Sequence, residues 1–248
     1  MRNIRIVLQY EGTRYAGFQR LTGSGKTIQG KIESVLTEIC GEPIEVIGSG
    51  RTDAGVHAES QTVNFKTSSP VPAKDMVTLC NRYLPQDIVV KEAREVPERF
   101  HARYHAVSKT YVYRILNRDI PDAFLYRTTY HEARFLELEA MNAAGSVLAG
   151  THDFHAFTND KNRKKDKIRT MDRISAERDG DLVLITMKGN GFLYNMARII
   201  AGTLIEVGLG RLSPYDVKAV LEGGDRVSAG FLAPAHGLIL AAVDYEPS

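Results

Sequence analysis

Residues 43–67 read PIEVIGSGRTDAGVHAESQTVNFKT, and this stretch carries the clearest structural pattern in the chain. Its two ends, Pro43 to Ile47 and Gln61 to Thr67, are rich in β-branched and apolar side chains, so each end is predicted to form a strand. Residues 48–60 between them contain three glycines and are predicted to form a loop. The stretch therefore predicts a strand, a loop and a second strand, in a fold that contains a β-sheet.

This loop also concentrates ionisable groups, because Arg51, Asp53 and His57 fall within seven residues. Glycines allow a ligand to approach the backbone closely, and loops between rigid strands often carry functional groups. The same spacing suits a tight turn in which Asp53 accepts backbone N–H groups and Arg51 is solvated. Both interpretations stay open on the loop alone, and His57 is interpreted as a structural hydrogen-bonding residue rather than a base.

Alternating and helical spacings of apolar residues predict the other elements, which mix strands and helices in both halves of the chain. The predicted elements are a strand through Ile4–Tyr10, a helix from Ile28 ended by Gly41, a helix at Ala73–Tyr83, a strand at Ile88–Val96, a strand at Lys109–Asn117, a helix at Leu136–Leu148, a hairpin of Thr170–Ala176 with Leu182–Lys188, a long helix at Phe192–Val207, a short helix after Pro214, and a strand at Leu238–Val243. Similar element order in the two halves predicts an α+β fold of two mixed domains, residues 1–105 and 106–248.

The long predicted helix, Phe192–Val207, is apolar on every side, which is typical of a buried helix. Arg198 lies within it, and in helical projection its neighbours are Tyr194, Ala201 and Ile205. A buried guanidinium without a partner costs about 3 to 5 kcal/mol, so we expect a carboxylate or phosphate beside it. Asp53 is the candidate partner, and a different carboxylate in a purely structural ion pair is the alternative.

Charge is distributed unevenly, although the formal net charge is only +2. Residues 159–173 contain seven Lys and Arg side chains against three Asp, and residues 94–118 interleave Arg, Lys and His with four aromatic side chains. Basic clusters suit RNA phosphates, and interleaved aromatic rings suit unstacked bases. A solvated loop and a solvated strand face explain the same segments equally well.

Composition excludes several classes of protein. The 248 residues are 43% hydrophobic and 25% charged, as in an ordinary globular protein, and the apolar stretches fall far short of the roughly 20 residues that span a membrane. The N-terminus leads into a strand pattern rather than an apolar signal block, so we expect a cytoplasmic protein. Two cysteines, Cys40 and Cys80, provide neither a disulfide framework nor a four-cysteine zinc site.

Two partial motifs do not support a function. Residues 23–27, Gly-Ser-Gly-Lys-Thr, resemble the end of a phosphate-binding P-loop, but that motif needs a glycine where this chain has Arg20. The pairs His101 with His105 and His152 with His155 have spacings that occur in metal sites, yet neither pair has a cysteine partner or a zinc-protease pattern. We therefore expect neither a nucleotide cofactor nor a metal ion.

A set of short motifs, spread over almost the whole chain, resembles the tRNA pseudouridine synthase A family. The motifs are Tyr10-Glu11-Gly12-Thr13 with Tyr15, Gly17 and Gln19; Thr27-Ile28-Gln29-Gly30; the run from Gly50 to Ala58; Leu84-Pro85 with Asp87; Phe100-His101-Ala102-Arg103; Lys109 to Tyr113; Gly150 with His152-Asp153-Phe154; and Gly191 to Met196 with Arg198, Gly202, Glu206, Val207 and Gly208. Phe18 and Ala197 stand where the family often has Trp and Val, which are differences in packing rather than in chemistry.

The resemblance implies roles for four residues. It implies that Asp53 is the catalytic aspartate, that Arg198 pairs with it, that Tyr111 stacks on the target base, and that Arg51 helps to hold the target nucleotide out of its stack. It also implies two α+β domains around a basic central cleft, a homodimer, no cofactor, and a tRNA substrate modified at uridines 38, 39 and 40 of the anticodon stem-loop. An RNA-binding module without catalysis would explain the basic and aromatic segments, but it gives no reason for a pair of Asp53 with Arg198.

Overall fold

The computed structural model describes residues 1–21, 26–162 and 166–246. The chain forms two compact units, the first made of Met1–Val107 with the chain from Leu240 on, and the second of Ser108–Ile239. Both units combine helices with antiparallel sheet, which confirms the predicted α+β class. The division into domains at residues 105 and 106 stays a prediction.

Among its described residues, the first unit contains three long antiparallel strands, one two-residue strand and two α-helices, together with residues 240–245 of the last strand of the chain. Its elements are β1 (Arg2–Tyr10), α1 (Ile28–Cys40), β2 (Ile47–Gly48), β3 (His57–Thr67), α2 (Ala73–Tyr83) and β4 (Ile88–Val96). β1 lies between β3 and β4, and β2 pairs with β3. The predicted strand is confirmed, and its face of Ile4, Ile6 and Leu8 is fully buried. Val7 on the opposite face is also buried, so burial along β1 does not alternate strictly. Gly41 ends α1 in the left-handed conformation at φ 70°, also as predicted.

The strand predicted at Pro43–Ile47 is mostly wrong, because only Ile47–Gly48 pairs as a strand. Side chains of α1 take the hydrogen bonds that a neighbouring strand would provide: the Ile44 N–H donates to Thr37, and the Val46 N–H donates to Glu33. β3, in contrast, begins four residues earlier than predicted, and its pairing with β1 extends as far as Ala58. The loop that carries Asp53 is therefore shorter than residues 48–60, the loop that the sequence pattern predicts.

Among its described residues, the second unit carries a four-stranded antiparallel sheet, three α-helices and two 3₁₀ helices, His155–Phe157 and Ala235–Gly237. The elements that follow β4 in the chain are β5 (Ala106–Leu116), β6 (Tyr130–His131), α3 (Leu138–Leu148), β7 (Gly150–Asp153), β8 (Ile168–Asp179), β9 (Leu182–Gly189), α4 (Met196–Gly208), α5 (Pro214–Gly223) and β10 (Leu238–Tyr245). The order β5-β9-β8-β7 is antiparallel throughout, and β6 adds to β5 in parallel. The predicted hairpin of β8 and β9 is confirmed, with Gly180 at φ 57° in its turn.

α4 is the buried helix that the sequence predicts, since eleven of its thirteen residues are buried. It begins at Met196 rather than at Phe192, because Asn195 adopts a left-handed conformation at φ 62° and interrupts the helical path. No helix among the described residues is long and apolar enough to cross a membrane.

In each unit an asparagine side chain on a helix hydrogen-bonds to the backbone of a strand. In the first unit the side-chain amide of Asn81 on α2 donates to the carbonyl of Val90 at 2.8 Å and accepts from its N–H at 2.7 Å. In the second unit Asn142 on α3 does the same with Ala176 of β8, at 2.9 and 2.8 Å. Both asparagines therefore satisfy a donor and an acceptor of strand backbone that the sheet leaves unpaired at that position.

Replacing Asn142 tests the contribution of these hydrogen bonds. Asn142→Ala leaves the Ala176 N–H and carbonyl without their partner, so we expect the free energy of unfolding to fall by about 1 to 3 kcal/mol. Ser146→Ala on the same helix is the control, because that exposed hydroxyl bonds only to a carbonyl of its own helix and should change stability by less than about 0.5 kcal/mol. Urea denaturation measures both values, and equal effects of the two substitutions would contradict the assigned role.

Candidate active site

Asp53 lies at the start of a tight turn between β2 and β3. Its carbonyl accepts the N–H of Val56 at 3.1 Å, and Gly55 inside the turn has φ 79°. The Asp53 side chain is partly exposed, and Arg51, two residues earlier, is exposed. The turn-forming interpretation of the glycines is therefore correct for the backbone, and Asp53 itself is only partly buried.

Hydrogen bonds of buried side chains connect this turn to strands β1 and β3. The hydroxyls of Tyr10 on β1 and Thr52 are hydrogen-bonded at 2.8 Å, and both side chains are almost fully buried. Gln61 on β3 donates to the Gly50 carbonyl at 2.9 Å and accepts from the hydroxyl of Ser49. Burial raises the pKa of Tyr10, so its hydroxyl stays protonated and able to donate. The residues that precede Asp53 are thus fixed to the sheet.

The segment that follows β1 packs directly on the Asp53 turn. The Phe18 N–H donates to the Thr52 carbonyl at 3.0 Å, and the Phe18 ring lies against Gly48. Gly17 has φ 99°, and a Cβ placed on it would lie 2.9 Å from the Thr52 carbonyl oxygen. Glycine is therefore required at position 17 both for its backbone conformation and for this close approach.

His57 is a buried hydrogen-bonding residue of this region. Its Nδ1 accepts the Gly12 N–H at 2.9 Å and lies 3.4 Å from an oxygen of Glu11, while the side chain is almost fully buried. This geometry matches the structural interpretation of His57.

Tyr111 lies on β5 in the second unit, opposite Met187 of β9. Its ring is in edge-to-face contact with Phe192, with the ring centroids 4.8 Å apart and the planes at 75°. Two residues further along β5, the Tyr113 hydroxyl donates to the Pro234 carbonyl at 3.0 Å. Burial raises the pKa of Tyr113, and the nearby positive charge of Arg198 acts in the opposite direction.

Arg198 lies in the first turn of α4, where two neutral acceptors orient its guanidinium. Nε donates to the Ala233 carbonyl at 2.7 Å, and a terminal nitrogen donates to the Asn195 side-chain oxygen at 3.3 Å. The Ala233 N–H in turn donates to the Arg198 carbonyl. Both of these acceptors are neutral, so they orient the guanidinium without compensating its positive charge.

The four predicted site residues thus fall into two local groups. Arg51 and Asp53 share one turn in the first unit, while Tyr111 and Arg198 lie in the second unit, linked there through Phe192 before α4 and the segment 233–234. The pairing of Asp53 with Arg198 stays a prediction.

Sequence reasoning missed the supporting residues of both groups. Tyr10, Thr52 and Gln61 look like ordinary strand and loop residues, and only the register of β1 against β3 brings them under the Asp53 turn. Segment 230–234 was also missed, although its Gly230 N–H bonds to Thr203 and its Ala233 holds Arg198. An apolar stretch with neither helical nor strand spacing was the available signal for that segment.

The partial motifs find ordinary structural partners. Among the histidines, His101 Nδ1 accepts backbone N–H groups, whereas His152 and His155 hydrogen-bond to backbone carbonyls through Nε2. Residues 23–25 of the P-loop-like stretch and 163–165 of the basic segment lie outside the described residues.

Comparison with known proteins identifies the family. The sequence pattern described as tRNA pseudouridine synthase matches residues 6–105 and 144–246. The chain belongs to the tRNA pseudouridine synthase A family. It is 46% identical over 246 residues to tRNA pseudouridine synthase A 2 of Clostridium tetani, which covers 99% of both chains. It is also similar to tRNA pseudouridine synthase A of a Bacillus species, at 47% identity over 99% of this chain and 100% of the relative, and of Acetivibrio thermocellus, at 44% over the same shares.

Residues from several of the family motifs contact one another in this pseudouridine synthase family member. Around Asp87, the Tyr15 hydroxyl donates at 2.7 Å, Arg14 donates through two nitrogens, and the Asp87 carbonyl accepts the Glu11 N–H. Separate motifs therefore combine into one scaffold that positions residues 11–18 against the Asp53 turn.

Replacing Gly17 tests that scaffold. In Gly17→Ala the new Cβ meets the Thr52 carbonyl, so we expect amide hydrogen exchange of residues 48–60 to accelerate by roughly tenfold or more. Gly210→Ala is the matched control, because Gly210 also has a positive φ of 71° but no atom within 4 Å of the new Cβ. Exchange measured by mass spectrometry should leave that loop unchanged in the control, and a Gly17→Ala loop as protected as the wild type would contradict the scaffold.

Proposed function

We propose that this chain isomerises uridine to pseudouridine in tRNA, at positions 38, 39 and 40 of the anticodon stem-loop, with Asp53 as the essential carboxylate. Family membership supports the reaction and the tRNA substrate. The single observation that supports the role of Asp53 is its position: a partly exposed aspartate on a turn whose neighbours Thr52 and Gly50 are fixed to the sheet by hydrogen bonds.

A carboxylate can serve this isomerisation without any external group. Isomerisation breaks the bond between the ribose and N1 of uracil, rotates the base, and joins the ribose to C5, with N1 gaining a proton and C5 losing one. No electrons and no external group are transferred, so the balanced reaction needs no cofactor. The Asp53 carboxylate serves by attacking the sugar, by attacking the base, or by removing a sugar proton.

Arg198 is proposed to keep Asp53 ionised. A guanidinium near a carboxylate favours the charged form of the carboxylate and so lowers its pKa. Two features support this assignment: the two neutral acceptors, Ala233 and Asn195, that fix the Arg198 side chain, and its place in a helix that is otherwise buried. An arginine held in this way loses little side-chain entropy when an anion binds.

Tyr111 and Arg51 are proposed to hold the target nucleotide. The edge-to-face contact with Phe192 fixes the plane of the Tyr111 ring, as a stacking platform for a base requires. The exposed guanidinium of Arg51, two residues from Asp53, suits contact with the displaced nucleotide or its phosphate. Extruding a base costs a few kcal/mol, and stacking together with ionic contacts offsets that cost. A basic central cleft, a homodimer and a cytoplasmic location complete the proposal.

Replacing the carboxylate gives the direct test. Asp53→Asn should abolish pseudouridine formation, by roughly 10³-fold or more, because the amide is neither a nucleophile nor a base, while tRNA affinity stays within about threefold. Pseudouridine is mapped by chemical adduct formation and primer extension. Asp119→Asn, at an exposed position outside the site, is the control and should keep full activity. Undiminished product with Asp53→Asn would contradict the assignment, and wild-type protein that binds tRNA without forming product would favour a non-catalytic RNA-binding module.

Replacing Arg198 separates catalysis from binding. Arg198→Met should lower kcat by roughly 10²-fold or more and change tRNA affinity little, since the arginine acts on the carboxylate rather than on the RNA backbone. Arg226→Met is the matched control, because Arg226 is also partly buried and bonds to the same segment through the Gly230 carbonyl. Single-turnover kinetics and filter binding measure the two effects, and equal loss of rate and affinity in Arg198→Met would make Arg198 a phosphate contact instead.

A further inference from the structure

An open groove of 660 Å³ lies in the first unit, away from the Asp53 turn itself. Its walls come from the segment after β1, from α1, and from the end of α2 with the two residues that follow. The volume falls within the roughly 300 to 1,000 Å³ that is usual for ligand sites.

Positive charge lines this groove. Arg14, Lys26 and Lys31 contribute to its walls, and no acidic side chain does so among the described residues. Lys26 and Lys31 are exposed, and on α1 Lys31 shares the groove face with Ser34, one turn further along. Arg14 is paired with Asp87, which lowers its contribution, but its side chain is still 66% exposed. The charge pattern favours an anionic ligand with spaced negative groups, such as a phosphodiester chain.

An aromatic ring stands at the edge of the same groove. Tyr83, the last residue of α2, lines the groove and is 63% exposed. The adjacent Arg82 guanidinium lies 5.8 Å from the ring centroid, which holds the ring by a cation–π contact and adds another cation. Cations with an exposed aromatic ring are the combination that binds unpaired nucleotides, the ring by stacking and the cations through phosphates.

The groove shares a wall with the Asp53 region. Arg14 and Tyr15 line the groove, whereas Gly17 and Phe18, two residues later, contact the Thr52 carbonyl. The Tyr15 hydroxyl is fixed by Asp87, so this short segment is held rigidly between the two places. A ligand chain in the groove therefore lies one short segment away from the proposed catalytic turn.

We propose that this groove binds a stretch of the tRNA outside the target uridine, with one base stacked on Tyr83 and phosphates contacted by Lys26 and Lys31. The inference rests on the proposed function, because it takes tRNA as the ligand. The groove supplies affinity for the RNA rather than groups for the reaction, so substitutions in it should alter tRNA binding and leave the chemical step unchanged.

Binding measurements on full-length tRNA test the groove. Tyr83→Ala should weaken tRNA affinity by roughly 5- to 100-fold, the range for loss of one stacked base, while Tyr83→Phe keeps the ring and restores affinity to within about twofold. Lys31→Gln should lower the slope of log affinity against log salt by roughly 0.7 to 0.9, as for one lost phosphate contact. The rate of pseudouridine formation at saturating tRNA should match the wild type in all three.

Matched controls are Tyr215→Ala, an exposed tyrosine on α5, and Lys74→Gln, an exposed lysine at the start of α2. Unchanged tRNA affinity in Tyr83→Ala, or an equal loss of tRNA affinity in Tyr215→Ala, would overturn the proposal that the groove binds tRNA. Uridine monophosphate that binds the wild type but not Tyr83→Ala, and that leaves tRNA affinity unchanged, would assign the groove to a free nucleotide and overturn the RNA proposal. Wild-type protein that forms no pseudouridine would contradict the proposed function, whereas the binding comparison decides the groove independently.

Discussion

The hydrogen bonds at Thr52 are the constraint on which the Asp53 region depends. The Thr52 hydroxyl joins Tyr10 at the end of β1, and its carbonyl accepts the Phe18 N–H from the segment that follows β1. One residue thus connects the sheet, the glycine-containing segment and the turn that presents Asp53. Both side chains of the hydroxyl pair are buried, so losing either one removes a hydrogen-bond partner from a buried hydroxyl, at a cost of about 1 to 3 kcal/mol.

Helix and strand patterns allowed much of each unit to be predicted, and the exceptions have local causes. α2 and β4 have the predicted bounds because their apolar spacing agrees with their packing. Residues 44–46 are not a strand because Thr37 and Glu33 of α1 bind their backbone, a tertiary effect that strand propensity does not contain. α4 starts late because Asn195 adopts a positive φ, and no simple pattern marks such a residue inside an apolar run.

Site residues that stand out in the sequence itself could be predicted. Residues that reach the site only through the fold of distant segments could not. Arg51 and Asp53 are evident within one glycine-rich loop, and Arg198 is evident as a charge within an apolar helix. The groups that position them come from distant segments: Gln61 under the turn, and Ala233 beside Arg198. Those contacts depend on strand register and on an irregular segment, neither of which single-sequence periodicity specifies.

The central claim is that this protein alone converts uridine to pseudouridine, without any cofactor. Joining the ribose to C5 of uracil expels the hydrogen on C5, so tRNA labelled with tritium at C5 of its uridines reports the reaction directly. The decisive measurement is tritium released to water by purified, dialysed protein with a metal chelator and no added cofactor. The account predicts release in a fixed ratio to the pseudouridine formed, over many turnovers. Tritium that stays in the tRNA, or is released only when a metal or cofactor is restored, would contradict it.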